Sequence, residues 1–334
     1  MIKTIRFMGT AALLSSVAFA ADEGVKVGGF VDAQYNWLNQ PNYKNTNTFN
    51  VNDGALYLGK SLGAGEVFVD IPFRSKTEAE ISGGSTNNSN FVVGADKAQA
   101  YVAWKYENGL SWKLGQFDSL YGFESNDSPD LVFAKQGLLY GNVPNTPNAL
   151  DLAGLTAVKP MVHTGLAVTY DLSELLGVTF LVANPNPQAK MYDGNPDFGF
   201  KISSKFDIFH TSVGGLFTRV GDNKGSLFDI MAGAKFGKLM ADLEVTFDKK
   251  PMGSAETRFG SLVQLGYSLN DKMNVATRFE YTKLGTLKAL SWTTGPQWSF
   301  SRDLVAKLDY TLCTVDGTDK TTSSSINLAA VQKF

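Results

Sequence analysis

Charged and amide side chains recur two residues apart along this chain: Asp32 and Gln34, Lys97 and Gln99, Lys201 with Ser203 and Lys205, Asp242 and Glu244, Arg278 and Glu280, Lys307 and Asp309. Residues i and i+2 of a strand point to one face, so each set marks a polar face carrying both signs of charge. Such faces do not pack a dry core, because an unpaired buried charge costs too much. They suit the lining of a watery space. The other reactive groups are sparse: His163, His210 and the single Cys313. One cysteine forms no internal disulfide and reads as a small structural residue. No nucleotide loop, zinc-ligand spacing or nucleophile elbow is present, so neither a metal nor a cofactor is expected.

The elements that position these faces are strands. Between the polar positions stand apolar ones, as in Val67, Val69, Ile71 and Phe73, or Leu239, Leu243, Val245 and Phe247. Alternation of period two, with one face apolar and one wet, recurs about sixteen times in segments of roughly ten residues, with almost no helical periodicity after residue 24. Strand two, around Phe49 to Gly59, is interrupted at Asp53-Gly54, where a bulge is expected. The connections alternate. Short ones fall at Gly63 to Gly65, Glu107 to Gly109, Leu172 to Gly177, Asp207-Ile208, Gly237-Lys238, Asn270-Asp271 and Ser301 to Asp303. Long polar ones fall at Asn39 to Thr48, Ser75 to Gly94, Pro185 to Pro196, Gly221 to Ser226 and Asp316 to Thr322.

Large outward aromatics cluster at both strand ends. Trp104, Tyr106, Trp112, Tyr170, Phe206, Phe236, Tyr267 and Trp298 lie beside short turns; Trp37, Phe217, Phe247, Tyr281, Trp292 and Tyr310 lie beside long loops. Two such belts place amphipathic rings at the two interfaces of a membrane. The expected fold is therefore all-β, a sixteen-stranded antiparallel transmembrane β-barrel with its short turns periplasmic and its long loops external.

Residues 1–20 read as a secretory signal peptide: Lys3 and Arg6, an apolar run from Met8 to Leu14, then Ala18-Phe19-Ala20 as an A-x-A cleavage site. The exported chain, 21–334, is then a single barrel domain. Removing Lys3 and Arg6 leaves 28 basic against 32 acidic residues, a charge of −4 that argues against a nucleic-acid partner. With 12% aromatics and 33 glycines, the chain is too aromatic to be disordered and too glycine-rich to be a helical globule.

Bore follows strand number, and sixteen strands leave an aqueous channel. One interruption, residues 118–160, is too long for an economical hairpin and is rich in Leu120, Tyr121, Phe123, Leu131, Val132, Phe133, Leu138, Leu139 and Tyr140, which could pack on a wall. By chain order it is the third external loop. It carries Asp118, Glu124, Asp127, Asp130 and Asp151 against Lys135 and Lys159.

The sixteen alternating strands, the terminal Phe334 and this long third loop resemble the general porins of Gram-negative outer membranes. Leu114-Gly115-Gln116-Phe117 through Tyr121-Gly122-Phe123-Glu124 is similar to the strand-to-loop junction of OmpL-like porins. The resemblance implies a third loop folded into the barrel, with loop acids facing wall bases across a constriction. By position these are Asp118, Glu124, Asp127 and Asp130 against Arg74, Lys97, Lys105 and Lys113, of which Lys113 is nearest mid-height. The Pro-Glu-Phe-Gly loop signature is absent, which leaves the loop's path open. Opposite charges across a narrow wet gap set up a transverse field that orients dipolar solutes. The competing reading of each residue is an ordinary salt bridge that fixes loop to wall. The remaining pore lining would be Asp32, Asp70, Lys201, Glu244, Arg278, Glu280 and Asp309.

The function expected from this is passive diffusion of small hydrophilic solutes and ions, with weak cation preference, because loop and mid-height lining acids outnumber bases. The expected partners are outer-membrane lipid and lipopolysaccharide, and two further copies of the chain in a homotrimer. The trimer rests on small outward residues Gly29, Val31, Ala33, Ala98 and Ala100 and on the 75–94 loop, which resembles the latch that general porins place over a neighbour. Two alternatives differ. One is a substrate-specific channel, for a sugar or an anion; a sugar channel would use inward Phe30, Phe68, Tyr101 and Phe117 as part of an aromatic slide. A barrel enzyme would need a catalytic cluster, but His163 and His210 fall at opposite membrane faces.

Overall fold

In the computed structural model, the described residues are 24–39, 45–77, 89–94, 97–140, 160–185, 195–220, 223–249, 256–317 and 320–334. They form seventeen strands: β1 (Lys26–Asn39), β2 (Thr46–Leu62), β3 (Gly65–Thr77), β4 (Ser89–Val93), β5 (Gln99–Lys105), β6 (Leu110–Asp118), β7 (Val162–Ser173), β8 (Leu176–Ala183) and β9 (Asp197–Phe206). The second half adds β10 (Phe209–Val220), β11 (Asn223–Phe236), β12 (Leu239–Lys249), β13 (Thr257–Ser268), β14 (Met273–Leu284), β15 (Leu287–Ser299), β16 (Leu304–Asp316) and β17 (Thr321–Lys333). The signal-peptide segment lies outside the described residues.

Each barrel strand pairs antiparallel with its chain neighbours, and β1 closes the ring by pairing with both β2 and β17, giving the expected 16-stranded barrel. Closure satisfies every strand edge, which a bilayer demands. At the seam Phe334 and Gly29 exchange both main-chain hydrogen bonds, each at 3.1 Å, so the terminal residue completes the ladder. Alternation sets the faces: on β1, Phe30, Asp32 and Gln34 are buried inward while Val27 and Ala33 are exposed outward. Tyr106, Tyr170, Phe206, Phe236, Tyr267 and Trp298 form an exposed outer belt at the turn end, and Phe217, Phe247 and Tyr310 one at the loop end.

The turns show why the short connections are short. Asp207-Ile208 and Gly237-Lys238 each open with a left-handed residue, φ +48° at Asp207 and +58° at Gly237, as two-residue hairpins require. Three expectations need adjustment. The β1–β2 irregularity omits Asn52 between the Asp32↔Asp53 and Ala33↔Val51 pairs, just upstream of the expected Asp53-Gly54 bulge. The extra strand β4 lies in the 75–94 connection, where it pairs with the part of β3 beyond the barrel, from Phe73↔Val93 to Thr77↔Ser89. Loop lengths are also uneven on the long side: only Gly285-Thr286 separates β14 from β15, so the long connections belong mainly to the first half.

Candidate functional site

Residues 119–140, the longer described stretch of the connection from β6 to β7, run inside the barrel. Short 3₁₀ turns at Ser128–Asp130 and Leu138–Tyr140 fold them. Six apolar loop side chains, Leu120, Tyr121, Leu131, Phe133, Leu138 and Leu139, are buried. At roughly 2 kcal/mol for each side chain, their burial holds the loop inside with a sizeable driving force. Leu120, Tyr121 and Leu139 share a cluster with Tyr101, Phe117, Leu181, Leu216 and Leu262 of the wall.

The polar contacts follow the loop round the wall. At one side Lys201 Nζ donates to the Leu120 carbonyl (2.6 Å), the Tyr121 hydroxyl to the Gly215 carbonyl (2.7 Å), and the Gly122 N–H to Asp229 Oδ2 (2.6 Å). The Tyr140 hydroxyl, held by Glu244 at 2.7 Å, accepts the Phe123 and Glu124 N–H groups. Glu124 pairs with Arg278, whose Nε also lies 3.1 Å from Glu280. On the β1–β2 wall, Tyr57 donates to Asp127 at 2.6 Å, and Asp53 Oδ2 accepts the Ser128 N–H and hydroxyl, both at 3.1 Å. Lys97 sits between the two acids, 2.7 Å from Asp53 and 3.9 Å from Asp127.

Between these, the main chain of 128–134 is clamped. Lys307 Nζ donates to the carbonyls of Ser128 and Leu131, both at 2.6 Å, and of Phe133 at 3.3 Å. Asp309, on the same face of β16, accepts the Ala134 N–H at 2.5 Å, and Gln34 donates to the Ala134 carbonyl at 2.7 Å.

The expected site residues separate accordingly. Of the acids, Glu124 and Asp127 meet wall partners, Asp118 accepts from Asn126 at 2.8 Å within the loop, and half-exposed Asp130 lies 3.7 Å from Lys333. Asp151 and Lys159 lie outside the described residues. Of the expected bases, Lys97 is the one within ion-pair distance of an acid of the loop among the described residues. Lys113 is inward but stands 4.0 Å over the Tyr101 ring, a cation–π position. Lys105 ends β5 at the turn end, exposed and 3.4 Å from Asp171. Arg74 is on the rim extension of β3, opposite Val92 of β4. Geometry explains both: β3 and β5 pair only from Gly65↔Trp104 to Asp70↔Gln99, so Arg74 lies beyond that ladder at one end and Lys105 close to its other end.

The lining positions Asp32, Asp70, Lys201, Glu244, Arg278, Glu280 and Asp309 are all inward, as the alternation requires. All but Lys201 are buried, and at Lys201, Glu244, Arg278, Glu280 and Asp309 the loop's main chain or side chains take the place of water. Asp32 accepts from Gln34 at 2.8 Å and also meets the Ser128 side chain of the loop. Asp53, Tyr57, Tyr140 and Lys307 matter to the loop's position although no motif distinguishes them. The inward aromatics form a run, Phe30–Tyr57–Phe68–Tyr101, with centroids 6.1, 5.8 and 5.3 Å apart. Phe30, Tyr101 and Phe117 are buried, and Tyr101 and Phe117 pack with Leu120, Tyr121 and Leu139 of the loop.

Burial sets the loop's titration. It raises Asp127 to about 7, reinforced by Asp118 and Asp53 and opposed by Lys97 and Tyr57. It also raises Tyr140 well above its ordinary range and lowers Lys135. His163, at the loop end of β7, packs edge-on to Tyr121 at 5.7 Å, while His210 is the second residue of β10, at the turn end. Among the described residues no group of acidic, histidine or cysteine side chains could hold a metal.

The family model described as "Putative beta-barrel porin-2, OmpL-like" matches residues 24–148 and 150–332, nearly the whole barrel. The chain belongs to the OmpL-like β-barrel porin family. No curated protein matches it. Among solved structures, this porin is similar to OmpF of Salmonella typhi in complex with daunomycin, with TM-score 0.67 and 13% identity over 93% of this chain and 97% of that one. It is also similar to the anion-selective porin of Comamonas acidovorans (0.63, 11%, 93% and 99%) and to the outer membrane channel DcaP of Acinetobacter baumannii (0.62, 12%, 93% and 97%). At such identities the likeness concerns the fold. Family and fold together point to an outer-membrane channel rather than an enzyme.

Proposed function

We propose that residues 1–20 export this porin and are removed, and that 21–334 form an outer-membrane pore for passive diffusion of small hydrophilic solutes and ions. The long connections would lie outside and the short turns in the periplasm. The observation that carries the reading is the course of 119–140 inside a closed sixteen-strand barrel, because a loop pinned across the bore sets the size and charge of what passes. The loop and wall acids support weak cation preference. Glu124 and Asp127 already face Arg278 and Lys97, so their field is partly cancelled and the preference small. A transmembrane salt gradient tests this: a reversal potential of the cation-selective sign is expected, and a clear anion preference would overturn it.

The barrel would be a homotrimer embedded in outer-membrane lipid and lipopolysaccharide. Exposed Ala33 on β1 and Ala100 on β5, with β2 and β3 between them on the outer wall, favour close barrel contact. The β3–β4 hairpin projects past the barrel ladder, as a latch over a neighbour would. Mass measurement of the detergent-extracted protein decides this, and a strictly monomeric particle would refute it.

A further inference from the structure

The outer wall carries a charge pattern at the loop end of β10 to β15. Arg219, Lys224, Lys249, Lys283 and Lys288 are exposed and share strand parity with outward Phe217, Phe228, Phe247, Phe279 and Leu290, so all five point away from the bore. Three of them stand two residues beyond an aromatic of the loop-end belt: Arg219 beyond Phe217, Lys249 beyond Phe247 and Lys283 beyond Tyr281. Two residues of strand span about 7 Å, a step that carries a side chain from the level of the interfacial rings into the headgroup layer.

The register sharpens the pattern. Arg219 lies directly opposite Lys224 across the β10–β11 ladder, and Lys283 directly opposite Lys288 across β14–β15. Like charges so placed destabilise a sheet, and an anion seated between them removes that cost. Lys249, on β12, stands between the two pairs. Of the acids described at this rim of β10 to β16, Asp248 turns inward to Arg258 at 3.5 Å. That leaves Glu256, over Gly285, and Asp316, opposite Lys288, against five outward cations. At the turn end the same strands connect through both signs, Lys238, Lys272 and Arg302 with Asp207, Asp271 and Asp303, all exposed. The excess of positive charge therefore belongs to one membrane interface only.

We propose that this stretch of the outer wall is a docking surface for a lipid whose headgroup carries two phosphates on a sugar, the phosphorylated disaccharide of lipopolysaccharide. One phosphate sits between Lys283 and Lys288. The other meets Lys249, two and a half strand spacings or about 12 Å round the wall, a separation that a disaccharide and two flexible lysine arms bridge. The acyl chains run down over Phe247, Phe279 and Leu290, and the Arg219–Lys224 pair takes a phosphate of the next lipid. A single glycerophosphate engages one of these groups only, and a zwitterionic headgroup gains nothing from the excess of cations. The inference deepens the lipid contact named above and rests on the long connections facing outward, which puts these cations in the outer leaflet.

Native mass spectrometry of the detergent-purified mature barrel, titrated with four lipids, tests it: diphosphoryl lipid A, monophosphoryl lipid A, phosphatidylglycerol and phosphatidylethanolamine. Diphosphoryl lipid A is expected to bind about tenfold or more tighter than any of the others, and its advantage should shrink as added salt shortens the Debye length below about 8 Å. Lys249→Gln, Lys283→Gln and Lys288→Gln together should weaken it by about tenfold or more, whereas Lys238→Gln, Lys272→Gln and Arg302→Gln at the turn end should leave it within about twofold. Equal binding of diphosphoryl lipid A and phosphatidylglycerol would make this a general anionic surface and overturn the proposal. Equal binding of the two forms of lipid A, no preference over phosphatidylethanolamine, or equal losses from the two triple variants would overturn it as well. The lipid comparison needs no variant to fold. Cysteine labelling of intact cells separates the two readings. Labelling at Asn270 alone overturns the outward placement, and with it the outer-leaflet lipid; labelling at Asn223 with no lipid A preference sinks the docking surface alone.

Discussion

Lys307→Met is the sharpest perturbation of the loop. The side chain is 1% exposed, and its ammonium group donates to three loop carbonyls. Hydrogen bonds to a charged group contribute ~1.5–3 kcal/mol each, so three amount to about 5 kcal/mol or more before any offset. The offset is the cost of burying the ammonium in the native state, several kcal/mol, which methionine avoids. The remainder, about 2 kcal/mol, falls on docking of 128–134 and corresponds to a shift of roughly thirtyfold toward detached states. The barrel ladder is untouched, because β16 keeps its pairing to β15 and β17. The variant should therefore fold and melt like the parent. In a planar bilayer its open-channel noise should rise, and its mean conductance should exceed the parent's. Noise and conductance equal to the parent's would show that the clamp does not set the loop's position.

The remaining predictions follow the same geometry. Burial raises Asp127 to about 7, so it gains negative charge as pH rises through that value. Cation preference should increase between about pH 6 and 8, and Asp127→Asn should flatten the rise in reversal potential. Removing one partner of the buried Glu124–Arg278 pair should cost ~3–5 kcal/mol in loop docking, and removing both should cost less than the sum of the single changes, as limited proteolysis of the loop would report. Cysteines placed at Asn223 and Asn270 report orientation: intact cells should label at Asn223, and labelling at Asn270 alone would invert the barrel.

The strands were legible because side-chain alternation is a direct image of two different solvents, and tertiary packing had little to override. Even strand two, with its register disturbed near Asp53, kept its place in the order. β4 escaped because it pairs outside the barrel, where no lipid face imposes an apolar alternation on Ser89 to Val93. The loop's route was less legible. Its membership in the wall could be read from Leu120, Phe133 and Leu139, but its anchors act on main chain: Lys307 on carbonyls, Asp229 and Asp309 on N–H groups. Any loop sequence presents those groups, so no motif advertises them. The same fact misleads about water. Inward charge at Glu244, Arg278, Glu280 and Asp309 implies a polar partner, and the sequence alone does not say whether solvent or the loop supplies it. Lys105 and Arg74 illustrate a further limit, since inward direction is set by parity whereas height along the barrel depends on where pairing starts and stops.

The most direct test of a water-filled barrel narrowed by its own loop is single-channel conductance of the purified protein in a planar bilayer of neutral lipid. Discrete, long-lived ion-conducting steps are expected, smaller than those of a variant lacking residues 119–140. The absence of steps, or equal steps with and without the loop segment, would contradict the account.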